Sequence, residues 1–444
     1  MTRHFRHASL ALLFLCGGAI TALLAPSAGV SSLLNEVPRY LIALAGAFAF
    51  YGLAGIVVVR APDACSSRAG LAAILGVALA ARLSLVSAEP TLSTDLFRYL
   101  WDGKVAAAGH NPYAFAPDAP ELAPLRGPFW HRISYRSVRT PYPPVAQALF
   151  RLAAGIRQDD PIALKLLLVA ADLAAVLALI GLLRRARRPA AHALLYAWNP
   201  LVISETALSG HVDALGVALF LLALLALERD DAAGQTAGAL LLGLSLAAKP
   251  YALAALPVIA RWRGLRVASL ALAVAALTLA PYLDAGEHLM GGARAMARRW
   301  RNNGSLYEIL YPALVGRVPF PGRTSRRILA GLLAAGCLLL ARRPVDGRED
   351  LWRRLYHAFL LSLFTSPVAH PWYLVWLAPF LSLSPAASGF AFTALVSIKH
   401  LPRWLPPSIP VRLWVQYAPV YLLLAWEWWP RRKRRAGKPE GSEG

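Results

Sequence analysis

The chain has 444 residues, 57% of them hydrophobic and only 16% charged, with a formal net charge of +22. So small a charged fraction, with repeated apolar runs, excludes an ordinary soluble domain and defines a polytopic membrane protein. The excess of Lys and Arg does not mark a nucleic-acid binder. It falls in short clusters between apolar runs, such as Arg184, Arg185, Arg187 and Arg188, or Arg431, Arg432, Lys433, Arg434 and Arg435, as loops that set membrane topology do.

In chain order, apolar runs of spanning length lie near 8–25, 38–59, 69–87, 161–183, 190–208, 211–228, 265–283, 325–342, 352–368 and 411–429. Shorter runs at 235–248, 250–260, 371–383 and 387–400 read as broken or re-entrant helices, which survive only where protein or a cavity covers the backbone. The fold class expected is all-α, a bundle of about 12–14 transmembrane or re-entrant helices. Its first run has the look of a signal peptide, but it is long enough to cross and further spans follow, so an uncleaved first helix is expected. The residues before Cys16 make a poor lipidation site. Cys16, Cys65 and Cys337 have no metal-ligand spacing, and their odd number argues against a disulfide framework.

With the N-terminus inside, the positive-inside rule puts segment 88–160 outside and the Arg184 cluster inside. If 235–260 is a hairpin, the basic groups at 261–266, 342–354 and 431–438 are inside and segment 284–325 is outside. If it crosses once, 284–325 is inside. The hairpin accounts for more basic residues and is the expectation adopted. One membrane domain, 1–430, is expected with a basic cytoplasmic tail at 431–444.

Polar residues concentrate in a few places. Residues 91–103 read TLSTDLFRYLWDG, where spacings of three, four and seven put Asp95, Arg98, Tyr99 and Asp102 on one helical face. Two carboxylates seven positions apart are separated by roughly 10 Å along the axis, too far to share a proton. They suit a base and a second anchor, or else they pair with Arg98 and Lys104. The stretch NPLVISETALSGHVDALGVA carries Glu205, His211 and Asp213 around a turn at Ser209-Gly210. That group reads as a site lining or as a satisfied polar turn, and one His-x-Asp pair is weak support for a metal site. Arg298, Arg301, Asn302 and Asn303 occupy the expected outer segment, with Arg294, Arg299, Trp300 and Tyr307. This is either tolerated charge and an ordinary Asn-Gly turn, or guanidinium and amide groups serving phosphate and sugar oxygens. His370, Trp372 and Tyr373 in SPVAHPWYLVW line a site or form an aromatic belt. Tyr142-Pro143-Pro144 reads as a rigid turn. Lys249, at the Pro250 break, is expected to find freed carbonyls or an anionic head group.

Taken together, TDLFRYLWDGKVAAAGHNPYAFAPD, YPPVAQALF, NPLVISETALSGHVDALGV, AAKPYALAALP, WRNNGSLYEILY and HPWYLVWLAP resemble the bacterial polyprenol-phosphate-dependent mannosyltransferases. These belong to the GT-C superfamily, in the company of glycosyltransferase family 87 and the alpha-mannopyranosyltransferases. The matches run in order over about residues 91–380, the first of them the most specific. The resemblance implies a polyprenyl-phosphate sugar donor, a lipid or glycan acceptor, an inverting transfer outside the cytoplasm, and a bacterial inner-membrane location. It marks Asp95 as the catalytic acid–base residue. Arg98, Tyr99, Asp102, His211, Asp213, Lys249, Arg298, Arg301, Asn302, Asn303, His370 and Tyr373 are then the expected substrate- and donor-binding groups. Many relatives carry two adjacent acids where this chain has Thr94-Asp95, which weakens the case for a divalent metal (Mg²⁺ or Mn²⁺) as cofactor and leaves Asp95 alone. Two helices also precede the span leading into the catalytic segment, a variation on the usual start of that fold. A lipid-linked sugar flippase or secondary transporter is the competing reading, and an assembly factor without chemistry a third. Transporters usually show repeated halves and midplane ionisable groups, whereas here the polar groups gather at one face.

Overall fold

In the computed structural model, which describes residues 3–403 and 409–436, the secondary structure is helical. Apart from isolated bridges of Asn302 and Asn303 to Val368, no β-pairing occurs among the described residues. Among the described residues, five helices are long and apolar enough to cross a membrane: His4–Gly29, Val37–Arg60, Arg68–Val86, Pro161–Arg185 and Pro321–Ala341. A sixth span is made if Leu265–Leu277 and Ala280–His288, bent by 69°, count as one. The chain is thus an all-α, multi-pass membrane protein. Shorter apolar helices, such as Asp213–Leu227 and Ala232–Ala248, make up much of the remaining bundle.

The first helix belongs to the fold, since Leu13, Cys16 and Ile20 are buried in the main core and a side chain at Gly17 would strike Val77 and Trp198. Run 190–208 does not form the single span expected. It breaks into a 3₁₀ turn, Ala190–Ala193, two short helices, Leu194–Ala197 and Pro200–Ile203, and a π-turn, Ser204–Leu208. Pro200 has no N–H to continue the ladder, and the Asn199 side chain caps the restart at Leu201 N (3.0 Å). The carbonyls released by the break are met inside the protein. Tyr51 Oη donates to Leu195 O (2.6 Å) and Arg82 Nη1 to Ala197 O (2.8 Å), as a buried irregular backbone requires. Arg82 is completely buried and pairs through Nε with Asp172 Oδ2 (2.5 Å), whose other oxygen accepts from Tyr196 Oη (2.5 Å).

Segment 88–160 is largely structured. Helices Asp95–Ala107 and Pro144–Ile156 enclose a second small core of Leu96, Phe97, Tyr99, Leu100, Phe150 and their neighbours. Gly103 permits this packing, because a Cβ there would lie 2.2 Å from the Phe150 carbonyl oxygen. The segment 232–263 runs out along helix Asp213–Leu227 and returns. Lys249 meets Asp213 at the start of that helix, and Arg263 meets Asp230 just past its end (2.7 Å each). At this second end Arg188 donates to Leu383 O and Arg348 pairs with Glu228, so the basic groups 184–188, 261–263 and 342–354 are gathered together. Segments 88–160 and 280–325 meet at the opposite end, where Asn111 Nδ2 bonds Asp284 (2.6 Å) and Tyr135 packs on Trp300. The final helix, Ile409–Ala436, continues through most of the basic run. The rest of the expected tail, 437–444, lies outside the described residues.

Candidate functional site

Asp95 opens its helix, where a carboxylate complements the positive end of the helix dipole. Ser93 Oγ accepts from its N–H (3.2 Å), and Thr94 Oγ1 is tied to Ser134 Oγ (2.8 Å). The half-buried side chain lies where two cavities meet. One is mainly apolar, about 570 Å³, and runs between the 250–254 segment and helix Pro321–Ala341, with Leu253, Leu329 and Leu333 in its wall. The other is more polar, about 340 Å³, and is lined by Thr91, Ser93, Thr94, Ser134 and Asn302 among others. Pro141, Tyr142, Met296, Trp300, Trp372 and Tyr373 are shared walls, and among the described residues Asp95 is the sole carboxylate lining either cavity. No hydrogen bond or ion pair from a described side chain engages that carboxylate.

Cations surround it. Lys249 and Arg326 line the apolar chamber; Arg98, Arg301 and Lys399 line the polar one. Several are held by acids set behind them. Arg98 Nε bonds Asp102 Oδ1 (2.8 Å), and Gln147 Nε2 bonds the other Asp102 oxygen (3.2 Å). Lys249 Nζ bonds Asp213 Oδ2 (2.7 Å), whose Oδ1 accepts from Trp376 Nε1 (3.0 Å). The partner of Lys249 is therefore a carboxylate, not the freed carbonyls or head group expected, because Gly210 in a left-handed turn (φ 72°) sends the chain into a helix that opens with Asp213 beside the Pro250 break. Arg301 pairs with Glu308 (Nε to Oε1, 2.9 Å) and lies over Tyr311. Arg326 differs, with neutral partners among the described residues: Trp300 O (2.9 Å), Tyr307 Oη and Gly322 O (3.2 Å each).

Trp372 is sandwiched between the imidazoles of His211 (3.8 Å between centroids) and His370 (4.1 Å). His211 Nδ1 lies 2.8 Å from Glu205 Oε2. Burial and then the Lys399 charge hold the His370 imidazole well below its ordinary pKa. It is neutral, and Lys399 Nζ donates to its Nδ1 (2.6 Å). Burial first, and then the Asp95 carboxylate, push the Tyr142 phenol well above its usual range, so it keeps its proton.

Of the expected residues, the structure brings Asp95, Arg98, Lys249, Arg301, Asn302, His370 and Tyr373 to the cavities. Asp102, Asp213 and His211 stand one layer back, each supporting a lining side chain. Tyr99 is buried between Phe150 and Tyr142. Asn303, with φ 56°, bonds Ala369 O (3.0 Å) and stitches two segments together. Arg298 is exposed and lines neither cavity. Sequence reasoning missed Arg326 and Lys399 as lining cations and took Tyr142 for a turn residue. A base just inside an apolar run, as in TSRRILAG or VSIKHL, was the available signal. Among the described residues no group of three or more His, Cys, Asp or Glu side chains is gathered to hold a metal ion. A lone carboxylate among cations is a poor donor set for Mg²⁺ or Mn²⁺.

A helical, multi-pass membrane protein with an acid-and-cation site between an apolar and a polar chamber is the class these features define. Residues 8–264, more than half of the chain, match the family model described as alpha-(1->6)-mannopyranosyltransferase, N-terminal domain, and the chain belongs to that family. It is a membrane mannosyltransferase, acting between a sugar donor and an acceptor. No curated protein and no solved structure matches it.

Proposed function

We propose that the protein transfers a mannosyl group, with inversion, from a polyprenyl-phosphate donor to a hydroxyl of a lipid or cell-envelope glycan, on the extracytoplasmic side of the bacterial inner membrane. The observation that carries this reading is the position of Asp95, alone among cations, where the two chambers join. The apolar chamber suits a prenyl chain, because its wall includes a membrane-spanning helix, and Lys249 with Arg326 suits the donor phosphate. The polar chamber suits the acceptor. Asp95 takes the proton from the acceptor hydroxyl as its oxygen attacks C1 of the sugar. The C1–O bond to phosphate breaks on the opposite face, and the bonding pair leaves with the polyprenyl phosphate. A phosphate is a good leaving group, so base assistance and stabilisation of the departing anion are what the protein must supply. The basic groups gathered at the far end of the bundle, which the positive-inside rule assigns to the cytoplasm, support the extracytoplasmic side.

Purified protein in lipid or detergent should transfer radiolabelled mannose from polyprenyl-phosphate mannose to an α-1,6-mannoside, and should not use a nucleotide-linked mannose. Transfer from the nucleotide sugar instead would overturn the lipid-donor reading.

A further inference from the structure

Tyr135 has the backbone of an outlier and the position of a ligand contact. Its φ of 54° is a left-handed conformation that a bulky side chain adopts only under constraint. The constraint is visible at both ends of its turn. Ser134 Oγ is bound to Thr94 Oγ1, one residue before Asp95 (2.8 Å). Tyr135 O accepts from Val138 N, and Val138 O accepts from Arg98 Nη1 (2.9 Å each). The turn is thus tethered on either side to the helix that carries Asp95.

The result is an aromatic ring, 63% exposed, held edge-on to Trp300 with 4.6 Å between ring centroids, and both rings line the polar chamber. Trp300 is fixed in turn by Arg326, whose Nη2 bonds its carbonyl (2.9 Å). Nothing in the packing of the protein requires a large ring to be held in solvent by a strained backbone. Aromatic faces beside hydroxyl and amide groups (Thr91, Ser93, Asn302) match a pyranose, which offers an apolar C–H face and a polar edge.

We infer that Tyr135 and Trp300 form an outer acceptor subsite that stacks a pyranose one unit away from the sugar whose hydroxyl meets Asp95, so that the acceptor is a glycan of at least two sugars. The inference rests on the transferase reading above and names its acceptor class.

The test compares mannose with α-1,6-linked mannobiose as acceptors. Wild-type protein should show the lower KM for mannobiose. Tyr135→Ala should raise that KM about three- to tenfold towards the mannose value, with the donor KM unmoved. Tyr135→Phe should keep the advantage. Tyr135→Gly, which relieves the backbone but lacks the ring, should match Tyr135→Ala; recovery in the glycine variant would overturn the stacking role. Binding of mannobiose without donor, followed by saturation-transfer NMR, reads the same subsite independently of turnover. Equal binding by wild type and Tyr135→Ala overturns the inference even if transfer proceeds. A wild-type protein that binds mannobiose through Tyr135 but transfers to no acceptor overturns the transferase reading instead.

Discussion

At the scale of single residues, the site divides into side chains that face the cavities and side chains that hold them. Asp95 and Arg98 face inwards, and Asp102 stands behind Arg98 with 2% exposure. The helical spacing was legible in the sequence, but which side of the helix met a cavity was not, because the packing of Tyr99 on Phe150 depends on a segment some fifty positions later. Asp102 is accordingly expected to matter through Arg98. Asp102→Asn keeps the shape and a hydrogen-bond acceptor, so it should lower transfer less than loss of Asp95 does and leave the protein folded. Asp102→Ala leaves a buried guanidinium without its counter-charge, a change that costs about 3–5 kcal/mol, and should lower the thermal midpoint clearly. A dead but stable Asp102→Asn protein would move the base from Asp95 to Asp102.

At the scale of elements, a helix break places one lining cation, and a fully buried ion pair joins two spans to another break. The Pro250 break was plain in the sequence, and it delivers Lys249 to the cavity. Its partner Asp213 lies thirty-six positions away, a separation at which the sequence offers no means of pairing the two. The break at Asn199-Pro200 is hidden in the sequence by the apolar character of 190–208. Arg82 and Asp172 are single charges inside spans ninety positions apart, which no sequence pattern pairs. Both are fully buried and line neither cavity, so their role is to join helices Arg68–Val86 and Pro161–Arg185 to the broken segment through Tyr196 and Ala197. Removing one partner alone leaves a buried charge. Asp172→Ala should destabilise by about 3–5 kcal/mol, and the double variant with Arg82→Met should recover much of the loss, read as thermal midpoints of purified protein. A double variant no more stable than Asp172→Ala would mean that the wider hydrogen-bond network, not charge compensation, holds this junction.

At the scale of the whole molecule, the helical membrane class is evident from composition, whereas setting segments 88–160 and 284–325 on one side rests on the basic clusters and on reading 235–260 as a hairpin. The family match ends at residue 264, but Trp300, Arg301, Arg326, His370 and Lys399 come from the remainder of the chain and complete the chambers. These contributions were hard to read because basic residues in mainly apolar helices look like topology signals until a fold brings them to one place. The whole arrangement converges on Asp95, and the decisive measurement is transfer by Asp95→Asn protein from polyprenyl-phosphate mannose, with expression, thermal midpoint and donor binding matched to wild type. General-base assistance contributes about 10²–10⁴-fold, so transfer should fall by that order while the donor still binds. Substantial turnover by a folded Asp95→Asn protein would contradict the assignment of Asp95 as the base.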